Sequence, residues 1–376
     1  MNILFISRAF PPIIGGIENQ NAALAVWLGK YTQVTTLANT RGKSFLPFFL
    51  PLVTLRALWI LRHHDVVLLG DGVLAPLGVI LKLFFPSKTV VSVIHGLDIT
   101  FADNPSWLGR SYAKINLPAL NKLDGLIAVS QETKRLALRF GLDESHIFVT
   151  PNGVDPNQLK QTSDRTALAK LLNIDLSSKK IIVRVGRFVK HKGVSWFLQN
   201  IVPALPNDVV FVAAGGVPKN TAPGDANIYP ECEEIIRELH LESRVRLLKN
   251  IPWSDIKLLL NSSDLAVAPN IPVPGSFEGF GISAIEAGAC GLPIIASKLE
   301  GLQEAIHEGK NGFLVPSENA QSFIEKIEWL LKDDLLRTQV GKQAEDYVNK
   351  NFSWDGSAKR YLELLQDFRN STLDNH

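Results

Sequence analysis

The chain has 376 residues, too many for one comfortable hydrophobic core, so two domains are expected. Its 46% hydrophobic and 20% charged residues exclude the disordered and fibrous classes. The net charge of +2 hides an uneven split: residues 1–160 carry 15 Lys and Arg against 10 Asp and Glu, leaving 24 against 27 of the totals 39 and 37, and no nucleic-acid partner is expected.

The first residues read as a buried strand, because the apolar run Ile3-Leu4-Phe5-Ile6 is too short for a signal peptide and is followed by Arg8, Pro11 and Pro12. A loop with Gly15 and Gly16 comes next, then helical spacing over 21–29. A loop of this kind in a parallel α/β sheet lies at the carboxyl end of its strand, where ligands bind. Two adjacent glycines carry little by themselves, since neither the G-x-G-x-x-G of dinucleotide sites nor the Lys-Ser/Thr ending of a P-loop is present.

Residues 41–64 set Arg41, Lys43, Arg56 and Arg62 around an apolar, aromatic run with two prolines, closed by His63 and His64. Its longest uncharged run, 44–55, is too short to span a bilayer, which needs roughly twenty residues. Two readings stand side by side: a surface that lies on an anionic membrane, or a buried helix with basic ends. Further strands are expected at 34–37, 66–69, 90–94, 126–129 and 147–149, and with helices between most of them they form a doubly wound parallel sheet. Polar residues follow two of these strands, His95-Gly96-Leu97-Asp98 and Ser130. His95 is either a site residue or a structural histidine.

A polar stretch, 161–178, reads as a linker to a second parallel α/β series, with strands expected from 180, at 209–213, 245–248, 265–268 and 293–297. Its first strand delivers Arg187 and Lys192, two cations five residues apart that suit a diphosphate, although such a charge cluster is also what a solvated face shows. The segment 217–230, rich in Pro, Asn and Gly, reads as an enlarged surface loop. Cys232 and Cys290 support neither a disulfide framework nor a zinc site and fit a reducing compartment.

The second series leads to Glu278-Gly279-Phe280-Gly281-Ile282, where a glycine turn opens into a short apolar helix containing Glu286. The first turn of such a helix leaves N–H groups unpaired and attracts anions, phosphate above all. A ligand with a phosphate in its middle and hydroxyl-rich groups at both ends would meet a carboxylate at each end. An ordinary glycine turn followed by a helix with favourable acids fits the same residues.

Taken together, the marks around Gly15-Gly16 and Glu18, His95 to Asp98, Ser130, Pro151-Asn152-Gly153, Gly186-Arg187 with Lys192-Gly193, Glu278 to Glu286 and Asn311-Gly312-Phe313 resemble family 4 of the retaining glycosyltransferases. The resemblance covers nearly the whole chain. It implies the GT-B fold: an α/β protein in which two Rossmann-like doubly wound domains face each other across a cleft. The domains would be 1–165 and 166–353, with a last helix, 354–376, packing back on the first. Arg187 and Lys192 would hold the diphosphate of a nucleoside-diphosphate sugar, Glu286 the ribose, and Glu278 with the amides of Gly279, Phe280, Gly281 and Ile282 the sugar. Gly15 and Gly16 would approach the diphosphate and His95 the sugar. Arg187, Lys192, Glu278 and His95 are the residues implied for catalysis.

No Asp-x-Asp triplet occurs, so no metal and no cofactor is expected, and the two cations with the helix N-terminus would stabilise the leaving diphosphate. The expected function is hexosyl transfer to a lipid-linked or cell-envelope glycan acceptor in the cytoplasm, at the inner face of the membrane, with residues 41–64 as the contact if the first of their two readings holds. A nucleotide-sugar epimerase on the same fold and a non-catalytic partner subunit remain the alternatives. The loop 270–277 is longer than the family's usual one, and Lys249 and Leu302-Gln303 depart from its pattern near the base.

Overall fold

The computed structural model describes residues 1–13, 15–218 and 227–374. Ile14 of the glycine loop, residues 219–226 of the expected surface loop and the last two residues of the expected closing helix lie outside the described residues. The chain divides into two compact units, Met1–Gly153 with Trp354–His376, and Val154–Ser353.

The first unit holds six parallel strands: β1 (Asn2–Ser7), β2 (Gln33–Ala38), β3 (Val66–Leu69), β4 (Thr89–Ile94), β5 (Gly125–Ala128) and β6 (Ile147–Val149), in the order β2-β1-β3-β4-β5-β6. β3, β4 and β5 are buried along their whole length. That explains their largely apolar sequences, since helices cover both faces of a parallel sheet. The connections β2→β3, β3→β4 and β4→β5 all run the same way across the sheet, so right-handed crossovers put their helices Leu46–Ile60, Ala75–Phe84 and Trp107–Leu120 on one face. The connection β1→β2 runs the other way, and its helix Gly16–Leu28 packs with the final helix Trp354–Asp374. The direction changes between β1 and β3, whose carboxyl ends therefore flank a crevice.

The second unit repeats this plan with β7 (Lys180–Val185), β8 (Val209–Gly215), β9 (Val245–Lys249), β10 (Leu265–Ala268), β11 (Ile294–Ser297) and β12 (Phe313–Val315), ordered β12-β11-β10-β7-β8-β9. Phe188, Phe197, Phe211 and Phe323 lie in its core with Ile182 and Val267. Here the direction changes between β7 and β10. β12, three residues at the sheet edge, was not expected as a strand; so short a run has no period to read.

Residues 161–178 are not a linker. They carry the helix Arg165–Leu172, capped by the Asp164 carboxylate on the Ala167 amide at 2.8 Å, and Leu168 and Leu172 are buried in the second unit. A helix with a single buried edge contributes too few apolar residues to stand out from a polar stretch. The reading of 41–64 as a buried helix with basic ends also fails. Leu46–Ile60 is a helix with Pro47 in its first turn, and it buries only Phe49, Val53 and Ala57.

Candidate functional site

In the second unit the site residues gather at the ends of the two strands that flank the change of direction. β7 carries Arg184, a buried cation behind the apolar run Ile181-Ile182-Val183, and its Nη1 donates to the carbonyls of Gly186 and of Arg187, the latter at 3.1 Å. Burial lowers the Arg184 pKa to about 10, against the nearby charge of Glu278. The loop continues through a 3₁₀ turn, Lys190–Lys192, to Gly193 at φ 71°. A side chain at Gly193 would put Cβ 1.8 Å from the Pro269 carbonyl oxygen, so this glycine lets the loop after β7 lie directly against the end of β10.

That approach brings Lys192 to Glu278. The Lys192 ammonium donates to Glu278 Oε2, and the Asn270 amide donates to the same oxygen at 2.7 Å. The Glu278 main-chain N–H donates to Glu300 Oε2 at 2.5 Å, and the Asn270 carbonyl accepts from Ser317 at 2.8 Å, which fixes the loop at both ends. Burial by itself would raise the Glu278 pKa, but the charges of Lys192 and His191 and the two side-chain hydrogen bonds hold it down at about 2. Burial lowers the Lys192 pKa and Glu278 opposes that shift. The two groups face each other as an ion pair.

Gly279 follows, then Phe280, whose ring packs against Phe352 at 5.6 Å between centroids, leaving only its backbone to meet a ligand. Gly281 takes φ 90° and starts the helix Ile282–Ala289, where a side chain would meet Leu302. Glu286 lies one turn inside this helix. It is half-buried and has no hydrogen-bonding or cationic partner among the described residues, and burial raises its pKa to about 7. Arg187 is half-buried beside this cluster in sequence, just after β7. The structure thus joins Lys192 and Glu278 directly and adds Asn270, Arg184 and Glu300, which sequence reasoning missed. Two signals were present: a cation within the apolar run of β7, and the first polar side chain after β10.

In the first unit, Gly15 caps the helix Gly16–Leu28 with extended backbone, and the Glu18 side chain folds back over it. Gly16 is exposed with open space beside it. His95 follows β4 and is buried, its Nε2 2.9 Å from the Gly70 carbonyl oxygen. The Asp98 carboxylate accepts from the amides of His95 at 3.0 Å, Gly96 at 2.8 Å and Gly72 at 2.9 Å, tying the loops after β3 and β4 together. Arg8 pairs with the buried Asp71 at 2.9 Å, and the charges of Asp71 and Asp98 outweigh burial and raise its pKa. Lys249, outside the family pattern, stands 4.8 Å over the Tyr229 ring. Among the described residues no three His, Cys, Asp or Glu side chains form a group that could hold a metal ion.

Two doubly wound sheets, each with polar loops at its direction change, define a two-domain α/β protein of the kind that binds nucleotides. Comparison narrows this further. The family model described as glycosyltransferase family 4 matches residues 15–158, and the one described as glycosyl transferases group 1 matches residues 173–347. The chain belongs to these family 4 glycosyltransferases and has the GT-B fold. It is similar to a D-inositol 3-phosphate glycosyltransferase of Corynebacterium urealyticum, 30% identical over 59% of this chain and 51% of that protein. An N-acetyl-alpha-D-glucosaminyl L-malate synthase of Bacillus anthracis is 27% identical over 76% of this chain and 70% of that one. The Anabaena HepE protein, solved in complex with UDP and glucose, superposes with a TM-score of 0.78 over 98% of this chain and 100% of that one, at 21% identity. The chain spans about half to two thirds of the length of the curated relatives it matches first.

Proposed function

We propose that the protein transfers a hexose with retention of configuration from a nucleoside-diphosphate sugar to a lipid-linked or cell-envelope acceptor, at the cytoplasmic face of the membrane, with residues 41–64 in contact with it. The observation that carries this reading is the Lys192–Glu278 pair at the mouth of β7 and β10, beside a helix N-terminus. Each partner is a group that one half of the donor needs. Donor binding exchanges the pair: Lys192 turns to the β-phosphate, and the freed Glu278 carboxylate takes sugar hydroxyls. Negative charge grows on the leaving diphosphate as the glycosidic bond breaks, and Lys192, Arg187 and the amides from Gly281 onward stabilise it without a metal. Glu286 accepts from the ribose. A Glu278 carboxylate engaged with sugar hydroxyls is a poor nucleophile for the anomeric carbon, which supports reaction on one face, with the departing phosphate taking the acceptor proton.

HepE, solved with UDP and glucose, supports a nucleotide-sugar donor. The relatives' names also favour a second reading of the acceptor, a small anionic hydroxyl compound, since inositol phosphate and malate share that chemistry.

Calorimetry on two variants tests the donor assignment. Glu286→Gln should weaken the nucleoside diphosphate itself by about 1.5–3 kcal/mol, the range for a hydrogen bond to a charged group. Glu278→Gln should leave the nucleoside diphosphate nearly unchanged, weaken the nucleotide-sugar and slow transfer. A fully active Glu278→Gln enzyme would sink the assignment, and loss of wild-type activity in EDTA would refute the metal-free step.

A further inference from the structure

Three of the helices on one face of the first sheet combine a lack of acids with a large exposed apolar area. Leu46–Ile60 packs on Ala75–Phe84, which packs on Trp107–Leu120, and none of the three contains an Asp or Glu. Each buries one side toward the sheet. On their other sides lie ten of the nineteen large hydrophobic side chains exposed among the described residues, in about a tenth of the chain. Trp59 is 68% exposed, Leu83 78% and Trp107 73%. Isolated exposed apolar residues are ordinary, but a contiguous patch of this size marks an interaction surface.

The charges around the patch choose its partner. No acid occurs in residues 19–64, 72–97 or 104–123. Arg41, Lys43, Arg56, Arg62, Arg110 and Lys114 are exposed, and none pairs with an acid among the described residues. Arg62 stands 5.7 Å over the Trp59 ring, the pairing of cation and indole that suits an interface with one apolar and one wet side. Residues 43–63 are long and apolar enough to cross a bilayer, but Phe49, Val53 and Ala57 are packed into the domain and Arg56 faces out at mid-helix, so the helix lies flat.

We infer that the outer face of all three helices rests on an anionic lipid bilayer, with Trp59, Leu83 and Trp107 in the interfacial region and the unpaired cations against the headgroups. This extends the proposed contact of residues 41–64 to two helices that it did not include, and it does not depend on the glycosyl-transfer reading.

The test is co-sedimentation of the full chain with phosphatidylcholine vesicles, with and without phosphatidylglycerol. The wild type should bind the anionic vesicles and release from them as salt rises. The variant Leu83→Ser/Trp107→Ser, which leaves residues 41–64 intact, should lose on the order of tenfold or more in partitioning while keeping wild-type nucleoside-diphosphate affinity. Equal binding to neutral vesicles, no binding to either, or wild-type partitioning of this variant would overturn the three-helix face. So would a stable dimer in solution that the same variant dissociates. Lost nucleotide affinity in the wild type would count against the proposed function and leave the membrane result standing.

Discussion

The two sheets share one architecture, six parallel strands with the change of direction beside the first strand of each, yet their carboxyl ends are finished in opposite ways. In the first unit most of the polar groups there are held by their own loops: Asp98 binds three amides, His95 meets the Gly70 carbonyl, and Arg8 pairs with Asp71 through Oδ1, while Asp71 Oδ2 has no hydrogen-bond partner among the described residues. In the second unit a lysine and a glutamate are held together in a loop beside a helix start, and a half-buried carboxylate with a strongly raised pKa stands one turn further on. The outer helices differ too. Those of the second unit carry ion pairs such as Lys160–Glu345, Arg165–Asp264 and Arg337–Asp334, whereas the 46–60, 75–84 and 107–120 helices of the first have no acids. The contrast teaches that the fold supplies the crevice and the loops supply the chemistry: one edge is tied up by its own loops, the other holds a charge pair that the proposed function would exchange for the donor.

The largest expected effect breaks that exchange. Lys192→Ala leaves the Glu278 carboxylate buried without its cation, which should destabilise the second unit by about 3–5 kcal/mol and slow transfer by about 10²–10³-fold. Lys192→Ala/Glu278→Gln should regain most of the stability, because the remaining amide is neutral, and regain none of the turnover. Thermal unfolding and steady-state rates separate the two. A double variant no more stable than Lys192→Ala would mean that Asn270 and the loop, rather than the ion pair, hold this site.

A smaller effect is expected at the rigid edge. Asp98→Asn replaces an anion that accepts from three amides and turns an N–H₂ group toward at least one of them, at a cost of about 1.5–3 kcal/mol. Nucleoside-diphosphate affinity should stay within about twofold of wild type if the second unit supplies most of it, since about 0.4 kcal/mol separates such values. A large loss measured by calorimetry would show that the loops after β3 and β4 contribute to the nucleotide after all, and the contrast between the edges would weaken.

Most of the strands could be read from the sequence, because parallel strands buried on both faces leave unbroken apolar runs such as Val66 to Leu69 and Leu265 to Ala268. The start of the helix at Ile282 could be read as well, from the glycines before it. What was hidden depended on long-range contact. Asn270 reveals its role only once Gly193 brings Lys192 across to the end of β10, and the helix Arg165–Leu172 shows its two buried leucines only when the second sheet is there to cover them. The three-helix face was legible in part: the basic, aromatic stretch 41–64 stands out, but its union with Leu83 and Trp107 requires the strand order.

The smallest effect concerns Glu286, and it follows from the opposite pKa values of two acids eight residues apart. Glu278, held at about 2, favours folding while ionised, so its contribution is present above the ordinary carboxylate range and is lost as pH falls toward 2. Glu286, raised to about 7, behaves in reverse: its protonated form is the one that suits the fold, so its contribution is full below pH 4.5 and is lost as pH rises through 7. Wild-type stability should therefore fall relative to Glu286→Gln between about pH 5 and 8, by an amount on the order of 1–3 kcal/mol. Over the same window the carboxylate becomes the better acceptor for two ribose hydroxyls, so wild-type affinity for the nucleoside diphosphate should rise with pH while that of Glu286→Gln stays flat. Denaturant unfolding and calorimetry at pH 5.5, 6.5 and 7.5, roughly a unit apart as the titration requires, give both curves. Parallel curves for the two proteins would show that Glu286 is already ionised at the low end, and that its side chain is better solvated than its position inside the helix implies.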